Sequence, residues 1–126
     1  MRKTKTYGLT HIAIAVEDIE RTLQFYQHVF DMEVMYHEKK MIQLTTPGCH
    51  DILVFEENAN QQIGESGGIA HFGFRLRKAV DIKEINQIIR EAGGTIIENG
   101  EFVPGSPYIF FKDPDGYTVE VWYELA

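Results

Sequence analysis

The pattern of hydrophobic and polar positions predicts the same order of elements twice along the chain. Residues 9–16 alternate in polarity, which is typical of a strand with one buried face. Apolar residues then recur three and four residues apart over residues 19–30, which indicates one face of a helix. We predict that Asp18 caps the start of this helix and that Asp31 ends it in a left-handed conformation. Further strands are predicted over residues 33–38, 41–45 and 51–56, with turns at residues 39–40 and 47–48.

The second half of the chain predicts the same order again. Residues 69–76 are predicted to form a strand, and apolar residues at helical spacing follow over residues 82–92. Asp81, with Glu84 three residues later, resembles a capping box, and the glycines at 93–94 are typical of a helix end. The remaining strands are predicted over residues 95–102, 108–112 and 118–124, with a hairpin turn at residues 113–116.

A polar segment that contains glycine joins the two halves over residues 58–68, and we interpret it as a linker. The pattern therefore predicts an α+β fold of two tandem βαβββ modules in a single domain over residues 1–126. The first module is predicted over about residues 7–57 and the second over about residues 69–126.

The composition excludes several classes of protein. The net charge of −7 disfavours a nucleic-acid surface, which would need a basic patch. No segment approaches the roughly 20 apolar residues of a membrane span, and the N-terminus does not resemble a signal peptide. Cys49 is the only cysteine, so no disulfide forms within the chain. We therefore expect a cytoplasmic protein with neither a membrane nor a nucleic acid as partner.

Two histidines occupy equivalent positions in the repeat. His11 opens the segment at residues 11–16 and His71 opens its echo at residues 71–76. Glu120 lies between two valines of the last strand, where a carboxylate needs a partner or exposure. If these three side chains face one side, the donor set suits Fe(II), Mn(II), Co(II), Ni(II) or Zn(II). The competing interpretation is a metal-free site in which these groups hydrogen-bond to one another.

The two halves also end on similar sequences, and an acid breaks the repeat there. Residues 47–57 align without a gap on residues 114–124, so that Leu53 falls opposite Glu120. A slip of one residue would place an isoleucine or a valine there, and neither binds a metal. The first half is therefore predicted to lack a ligand that matches Glu120.

The chain resembles the vicinal oxygen chelate superfamily from about residue 9 to residue 123. The resemblance lies in the order of elements, the two histidines and the ending Tyr-Ile-Phe-Phe-Lys-Asp-Pro-Asp-Gly-Tyr-Thr-Val-Glu-Val-Trp. This superfamily includes glyoxalase I, extradiol dioxygenases, fosfomycin-resistance enzymes, methylmalonyl-CoA epimerase and bleomycin-binding proteins. The resemblance implies a cup-shaped mixed sheet around a divalent metal, in the glyoxalase/dioxygenase-like fold. It also implies that His11, His71 and Glu120 hold the metal.

The resemblance further suggests catalytic groups. Glyoxalase I-like members carry a glutamate ligand, also implicated as the base, where this chain has Leu53. Extradiol dioxygenases place an acid-base tyrosine ten residues before the glutamate, where this chain has Phe110. Tyr108 and Gln43 are therefore the candidate catalytic residues. Fosfomycin enzymes carry basic residues in the loop that corresponds to residues 99–107, and this loop contains no Lys or Arg, which disfavours a phosphonate substrate.

Two functions fit these observations. The first is a metalloenzyme, a lyase or a dioxygenase, that binds a small oxygen-bearing substrate through bidentate chelation to the metal. The second is a metal-free drug-binding protein of the bleomycin-resistance type, which would hold its ligand between aromatic walls. The resemblance also implies a homodimer, in which His11 of one chain can join His71 and Glu120 of the other. The aromatic candidates for the walls are Phe55, Phe74, Phe110 and Trp122.

Overall fold

The structure, a computed structural model, describes residues 4–58 and 60–125. The chain divides into two units, Met1–Gln61 and Gln62–Ala126, and the boundary falls within the predicted linker. Residues 1–3, 59 and 126, which include part of that linker and the end of the predicted second module, lie outside the described residues. Within the described residues each unit has a four-stranded sheet and an α-helix, which confirms the α+β class and the two βαβββ modules.

The first unit runs strand, helix and three strands. The elements are β1 (His11–Ala15), α1 (Ile19–Phe30), β2 (Glu33–Glu38), β3 (Met41–Thr45) and β4 (Ile52–Glu56). The sheet has the strand order β1-β4-β3-β2, in which β1 pairs with β4 in parallel and the other neighbours are antiparallel. The parallel pair joins the first strand of the module to the last.

Acidic side chains and a left-handed residue fix the ends of α1. Asp18 accepts hydrogen bonds from two backbone N–H groups of the first turn, at 3.0 and 3.3 Å, as predicted. Asp31 ends the helix with φ 55°, as predicted. Glu57 adds a bond that the pattern did not predict, because its Oε2 accepts from the N–H of Ile19 at 3.0 Å and ties the helix to the end of β4. The buried residues of α1 are Ile19, Thr22, Phe25, Tyr26 and Val29.

The second unit repeats this arrangement. The elements are β5 (Phe72–Arg75), a 3₁₀ turn (Ala79–Asp81), α2 (Ile82–Glu91), β6 (Thr95–Glu101), β7 (Pro107–Lys112) and β8 (Thr118–Trp122). Its sheet has the order β5-β8-β7-β6, and β5 pairs with β8 in parallel. Neither α1 nor α2, nor any other helix of the described residues, is long and apolar enough to cross a membrane.

The sequence pattern predicted the C-terminal end of α2 correctly but not its N-terminal end. The predicted capping box is wrong, because the side chain of Asp81 caps nothing. Asp81 belongs to the 3₁₀ turn and has helical backbone angles, φ −71° and ψ −8°, rather than the extended geometry of a capping residue. The predicted glycine end is confirmed. Gly93 has φ 103°, and the N–H of Gly94 donates to the carbonyl of Ile89 at 2.8 Å, which is a Schellman motif.

The turn before β8 is held by one buried carboxylate. Asp113 is 4% exposed, and its Oδ1 accepts from the N–H groups of Asp115, Gly116 and Tyr117 at 3.0, 3.1 and 3.0 Å. These bonds close the predicted hairpin turn and set where β8 begins.

In each unit one face of the sheet packs against the helix, and we call the other the open face. The central strands alternate between the two faces, as strand geometry requires. Glu120 therefore lies on the open face of the second sheet, because the valines on both sides of it are buried. The residues of the central strands that face the helix are Ile42, Leu44, Leu53 and Phe55 in the first unit and Ile109, Phe111, Val119 and Val121 in the second.

The strand register corrects the alignment of the two halves by one residue. Ala13 pairs with Val54 in the first unit, and its counterpart Gly73 pairs with Glu120 in the second. Val54, and not Leu53, is therefore the counterpart of Glu120. Leu53 is 6% exposed and belongs to the core. The gapless alignment was wrong, but an apolar residue does stand at the position that matches Glu120.

This register predicts opposite outcomes for two neighbouring substitutions. Leu53→Glu should lower the free energy of unfolding by about 3 kcal/mol or more, because it buries a carboxylate without a partner. Val54→Glu should change it by less than about 1 kcal/mol, because this side chain lies on the half-exposed open face. Denaturant unfolding of both variants measures the difference. Equal losses would contradict the register.

Candidate metal and substrate site

His71 and Glu120 lie side by side on the open face of the second sheet. His71 directly precedes β5, which is shorter than the predicted strand at residues 69–76, and Glu120 is the central residue of β8. His71 Nε2 lies 3.3 Å from Glu120 Oε1, and the side chains are 36% and 14% exposed. The structure thus brings two of the three predicted ligands together.

Two neighbours shape the surroundings of this pair. Gly73 lies beside Glu120, and a Cβ at Gly73 would be only 3.0 Å from the Glu120 carbonyl oxygen and 3.3 Å from its Cβ. Glycine is therefore the residue that fits best beside the backbone of Glu120. On the other side Phe110 pairs with Glu120, and its ring meets the His71 ring edge to face at 5.0 Å and 82°. This contact holds the imidazole at one orientation.

The His71–Glu120 pair fits the geometry of two ligands on one ion. Two donor atoms about 2.1 Å from a common ion, at octahedral or tetrahedral angles, are separated by roughly 3.0–3.4 Å. The observed separation of 3.3 Å lies in that range. No group of three His, Cys, Asp or Glu side chains arranged to hold a metal occurs within residues 4–58 and 60–125. His71 and Glu120 therefore supply part of a ligand set.

His11 and Gln43 lie on the open face of the first sheet. His11 begins β1 and is exposed, and Gln43 is half-buried at the centre of β3, paired with Val54. Tyr36 pairs with Gln43 from β2. The Tyr36 hydroxyl donates to Glu38 at 3.0 Å, and this hydrogen bond raises the pKa of Tyr36. This face thus carries an imidazole and an amide, with a valine where the second sheet has its glutamate.

Tyr108 leans toward the edge strand β6 rather than toward β8. Its hydroxyl donates to Glu98 at 2.5 Å, and its ring stacks on Phe102 at 4.2 Å. The ring lies over Gly100, where a Cβ would be 3.2 Å from the hydroxyl oxygen. The hydrogen bond to Glu98 raises the pKa of Tyr108. Tyr108 therefore shares the open face with Glu120, but its hydroxyl donates its hydrogen bond to Glu98 and not to Glu120.

Glu98 is the residue of this face that the sequence pattern missed. Ile96 pairs with the buried Phe111, so strict alternation would turn Glu98 toward the helix as well. A bulge between Ile96 and Glu98 inserts one residue and turns Glu98 to the open face, where it pairs with Phe110. No residue in this stretch signals the bulge.

The other three histidines, His28, His37 and His50, are not neighbours of His71 and Glu120. His37 Nε2 is 3.0 Å from Glu20 Oε1, so an exposed pair of the same chemical type links β2 to α1. His50 stacks on Tyr7 at 4.9 Å, and His28 is exposed on α1. The His37–Glu20 pair is therefore a natural control for the His71–Glu120 pair.

Two of the four candidate wall aromatics lie on the open face. Phe110 and Trp122 do, because they alternate with buried residues of β7 and β8. Phe55 is fully buried, and Phe74 pairs with the buried Val121 on the helix side. The aromatic surface thus belongs to the second sheet.

The match to known proteins agrees with this architecture. A sequence model of the Glyoxalase/Bleomycin resistance protein/Dioxygenase superfamily matches residues 8–121. The chain belongs to this superfamily. The predicted membership of the vicinal oxygen chelate group is confirmed.

Individual relatives differ in their chemistry. The chain is 30% identical over 127 residues to a catechol-2,3-dioxygenase of Bacillus subtilis. The aligned region covers 94% of this chain and 43% of that protein. It is 25% identical over 125 residues to the metallothiol transferase FosB of Bacillus licheniformis, over 96% of this chain and 78% of that protein. The chain thus spans less than half the length of the dioxygenase.

A solved structure shows the same fold. A variant of the fosfomycin-resistance protein FosX of Listeria monocytogenes, complexed with Mn(II) and 1S,2S-dihydroxypropylphosphonic acid, superposes with a TM-score of 0.76 at 23% identity. The match covers 93% of this chain and 90% of FosX. At this identity the likeness concerns the fold.

The hydrogen bond between Tyr108 and Glu98 predicts a titration. Glu98→Gln should lower the pKa of the Tyr108 hydroxyl toward its ordinary value, because the carboxylate that favours the neutral phenol is gone. Phenolate absorbance, taken as the difference between each protein and its Tyr108→Phe derivative, measures this pKa. Glu38→Gln is the control and should leave Tyr108 unchanged. An unchanged pKa in Glu98→Gln would refute the assignment.

Proposed function

We propose that this protein is a metal-dependent lyase or dioxygenase that binds a small oxygen-bearing substrate through two of its oxygens. The observation that supports this most is the His71–Glu120 pair, whose donor atoms are 3.3 Å apart on a half-exposed face. We propose His11, the repeat counterpart of His71, as the third ligand. The ion would be Fe, Mn, Ni, Co or Zn, because two imidazoles and a carboxylate suit each of them.

A bound ion would supply Lewis-acid chemistry, which polarises substrate oxygens and stabilises negative charge that develops on them. The chain supplies the rest. Glu120 contributes the negative charge next to the imidazole of His71. Phe110 fixes the plane of that imidazole through their edge-to-face contact at 5.0 Å. Gly73 keeps the space beside Glu120 clear of a side chain.

Tyr108 and Gln43 are our candidates for catalytic groups. The raised pKa of Tyr108 keeps its hydroxyl protonated at neutral pH, so it would act as a donor rather than as a base. Tyr108 lies two residues from Phe110 along β7, which is about 7 Å. Gln43 offers an uncharged amide that can orient a substrate oxygen.

The metal proposal predicts a selective loss of affinity. His71→Ala and Glu120→Ala should each weaken Zn(II) or Ni(II) binding about 100-fold or more, because even groups that only support a ligand contribute 10- to 100-fold. His37→Ala should have no such effect, although it disrupts a His–Glu pair as well. Calorimetric titration of protein purified without chelators measures these affinities. A wild type that cannot be loaded with any of the five metals would refute the proposal.

We further propose a homodimer in which His11 of one chain joins His71 and Glu120 of the other. When His11→Ala chains are mixed with Glu120→Ala chains and allowed to exchange, metal binding should return to about a quarter of the wild-type sites, since half of the dimers are mixed and each restores one site. The control mixes His71→Ala with Glu120→Ala, which restores none. Recovery in neither mixture would mean that all three ligands come from one chain.

The cellular setting we propose is the cytoplasm. Cys49 is an exposed thiol, which suits a reducing compartment. The net charge of −7 disfavours a nucleic-acid partner, so a small molecule is the proposed ligand.

A metal-free binding protein of the bleomycin-resistance type is our second candidate, favoured by the aromatic rings of Phe110 and Trp122 on the open face. This candidate predicts that a flat cationic ligand quenches the fluorescence of Trp122, the only tryptophan, in the presence of EDTA. His11→Ala should leave that quenching unchanged. Quenching that requires both added metal and His11 would contradict the binding protein and favour the enzyme.

A further inference from the structure

Arg75 is a charged residue of the second open face that the proposed metal site does not use. It is the last residue of β5 and pairs with Trp122, while Gly73, two residues earlier, pairs with Glu120. Because side chains alternate along a strand, Arg75 and Gly73 point to the same face, about 7 Å apart along it. On this face Arg75 and its partner Trp122 therefore lie two residues along their strands from Gly73 and Glu120.

The guanidinium of Arg75 is held in place by two neighbours. Its central carbon lies 5.9 Å from the ring centroid of Trp122, and its Nη1 lies 3.3 Å from Glu124 Oε2. A guanidinium carries five N–H donors, and this one ion pair leaves donors over for a ligand. The Arg75 side chain is 56% exposed, so an ion pair there contributes little to stability. We therefore look for the role of Arg75 in binding and not in stability, because it lies on the same face as Glu120.

The internal repeat provides a comparison for this position. In the first unit the register pairs Ala15 with Glu56, where the second unit pairs Arg75 with Trp122. An alanine beside a glutamate cannot bind an anion. At this position the first sheet therefore carries a negative charge and the second a positive one, so only the second offers a donor for an anion.

We propose that Arg75, supported by Trp122, recognises a carboxylate of the substrate, which would be a small monocarboxylic acid with its chelating oxygens at the end away from that carboxylate. The chelating end rests on the function proposed above, whereas the carboxylate end does not need the metal. A planar guanidinium binds a carboxylate through two parallel hydrogen bonds. The net charge of −7 gives no long-range attraction for anions, so local contacts must provide the selectivity.

The test compares benzoate with its uncharged analogue benzamide in the presence of EDTA. Calorimetry gives the affinity, and the fluorescence of Trp122 reports binding next to Arg75. Benzoate should bind saturably and benzamide should bind at least about tenfold more weakly, as expected for a lost charge-assisted hydrogen bond. Benzamide binding as tightly as benzoate would overturn the proposal.

Variants distinguish benzoate binding at Arg75 from a general effect of the protein's net charge on benzoate affinity. Arg75→Gln should weaken benzoate about tenfold or more, and Arg75→Lys should recover only part of the loss because it lacks the planar fork. Glu124→Gln should strengthen binding, because it removes the competing carboxylate. Arg77→Gln is the matched control for net charge and should change nothing. Arg75→Gln with wild-type affinity, or an equal loss in Arg77→Gln, would overturn the proposal, while circular dichroism verifies that each variant is folded.

The metal proposal and this inference fail separately. Benzoate binding that depends on Arg75 but is not affected by His71→Ala or by added Zn(II) would support the inference even if no metal binds. Metal binding without any benzoate selectivity would overturn the inference and leave the proposed metal site standing.

Discussion

The parallel pairing between the first and last strands of each module is the constraint on which the rest of the structure depends. β1 lies against β4, and β5 against β8, so the helix between them must cross one face of the sheet and cover it. The opposite face is then left open. The same pairing sets which residues meet on that face, and in the second module it sets Glu120 beside Gly73.

The two modules share this frame but differ in what their open faces present. The first module pairs Ala13 with Val54, two small apolar side chains. The second pairs Gly73 with Glu120, and the absence of a side chain at Gly73 avoids a tight contact with the carbonyl oxygen and Cβ of Glu120. The two modules thus share apolar core-facing residues, but the second alone has a carboxylate at this central position of its open face. This division explains how a single fold can support several chemistries, since the open face is free to change.

Most features that depend on short sequence patterns could be predicted, and features that depend on register could not. The caps of α1 follow from the chemistry of Asp18 and Asp31 alone. The counterpart of Glu120 was missed by one residue, because Leu53 and Val54 are both apolar and only the burial alternation separates them. Glu98 was missed because a bulge reverses its orientation. The failed cap at Asp81 arose from a 3₁₀ turn that the local sequence does not announce.

The proposed function depends above all on His71 and Glu120 being ligands of one divalent ion. Anomalous diffraction from crystals of the protein loaded with Zn(II) tests it most directly. We expect a peak about 2.1 Å from both His71 Nε2 and Glu120 Oε1. A Zn(II)-loaded crystal with no peak between these two atoms, or with a peak only at the exposed His37–Glu20 pair, would contradict it.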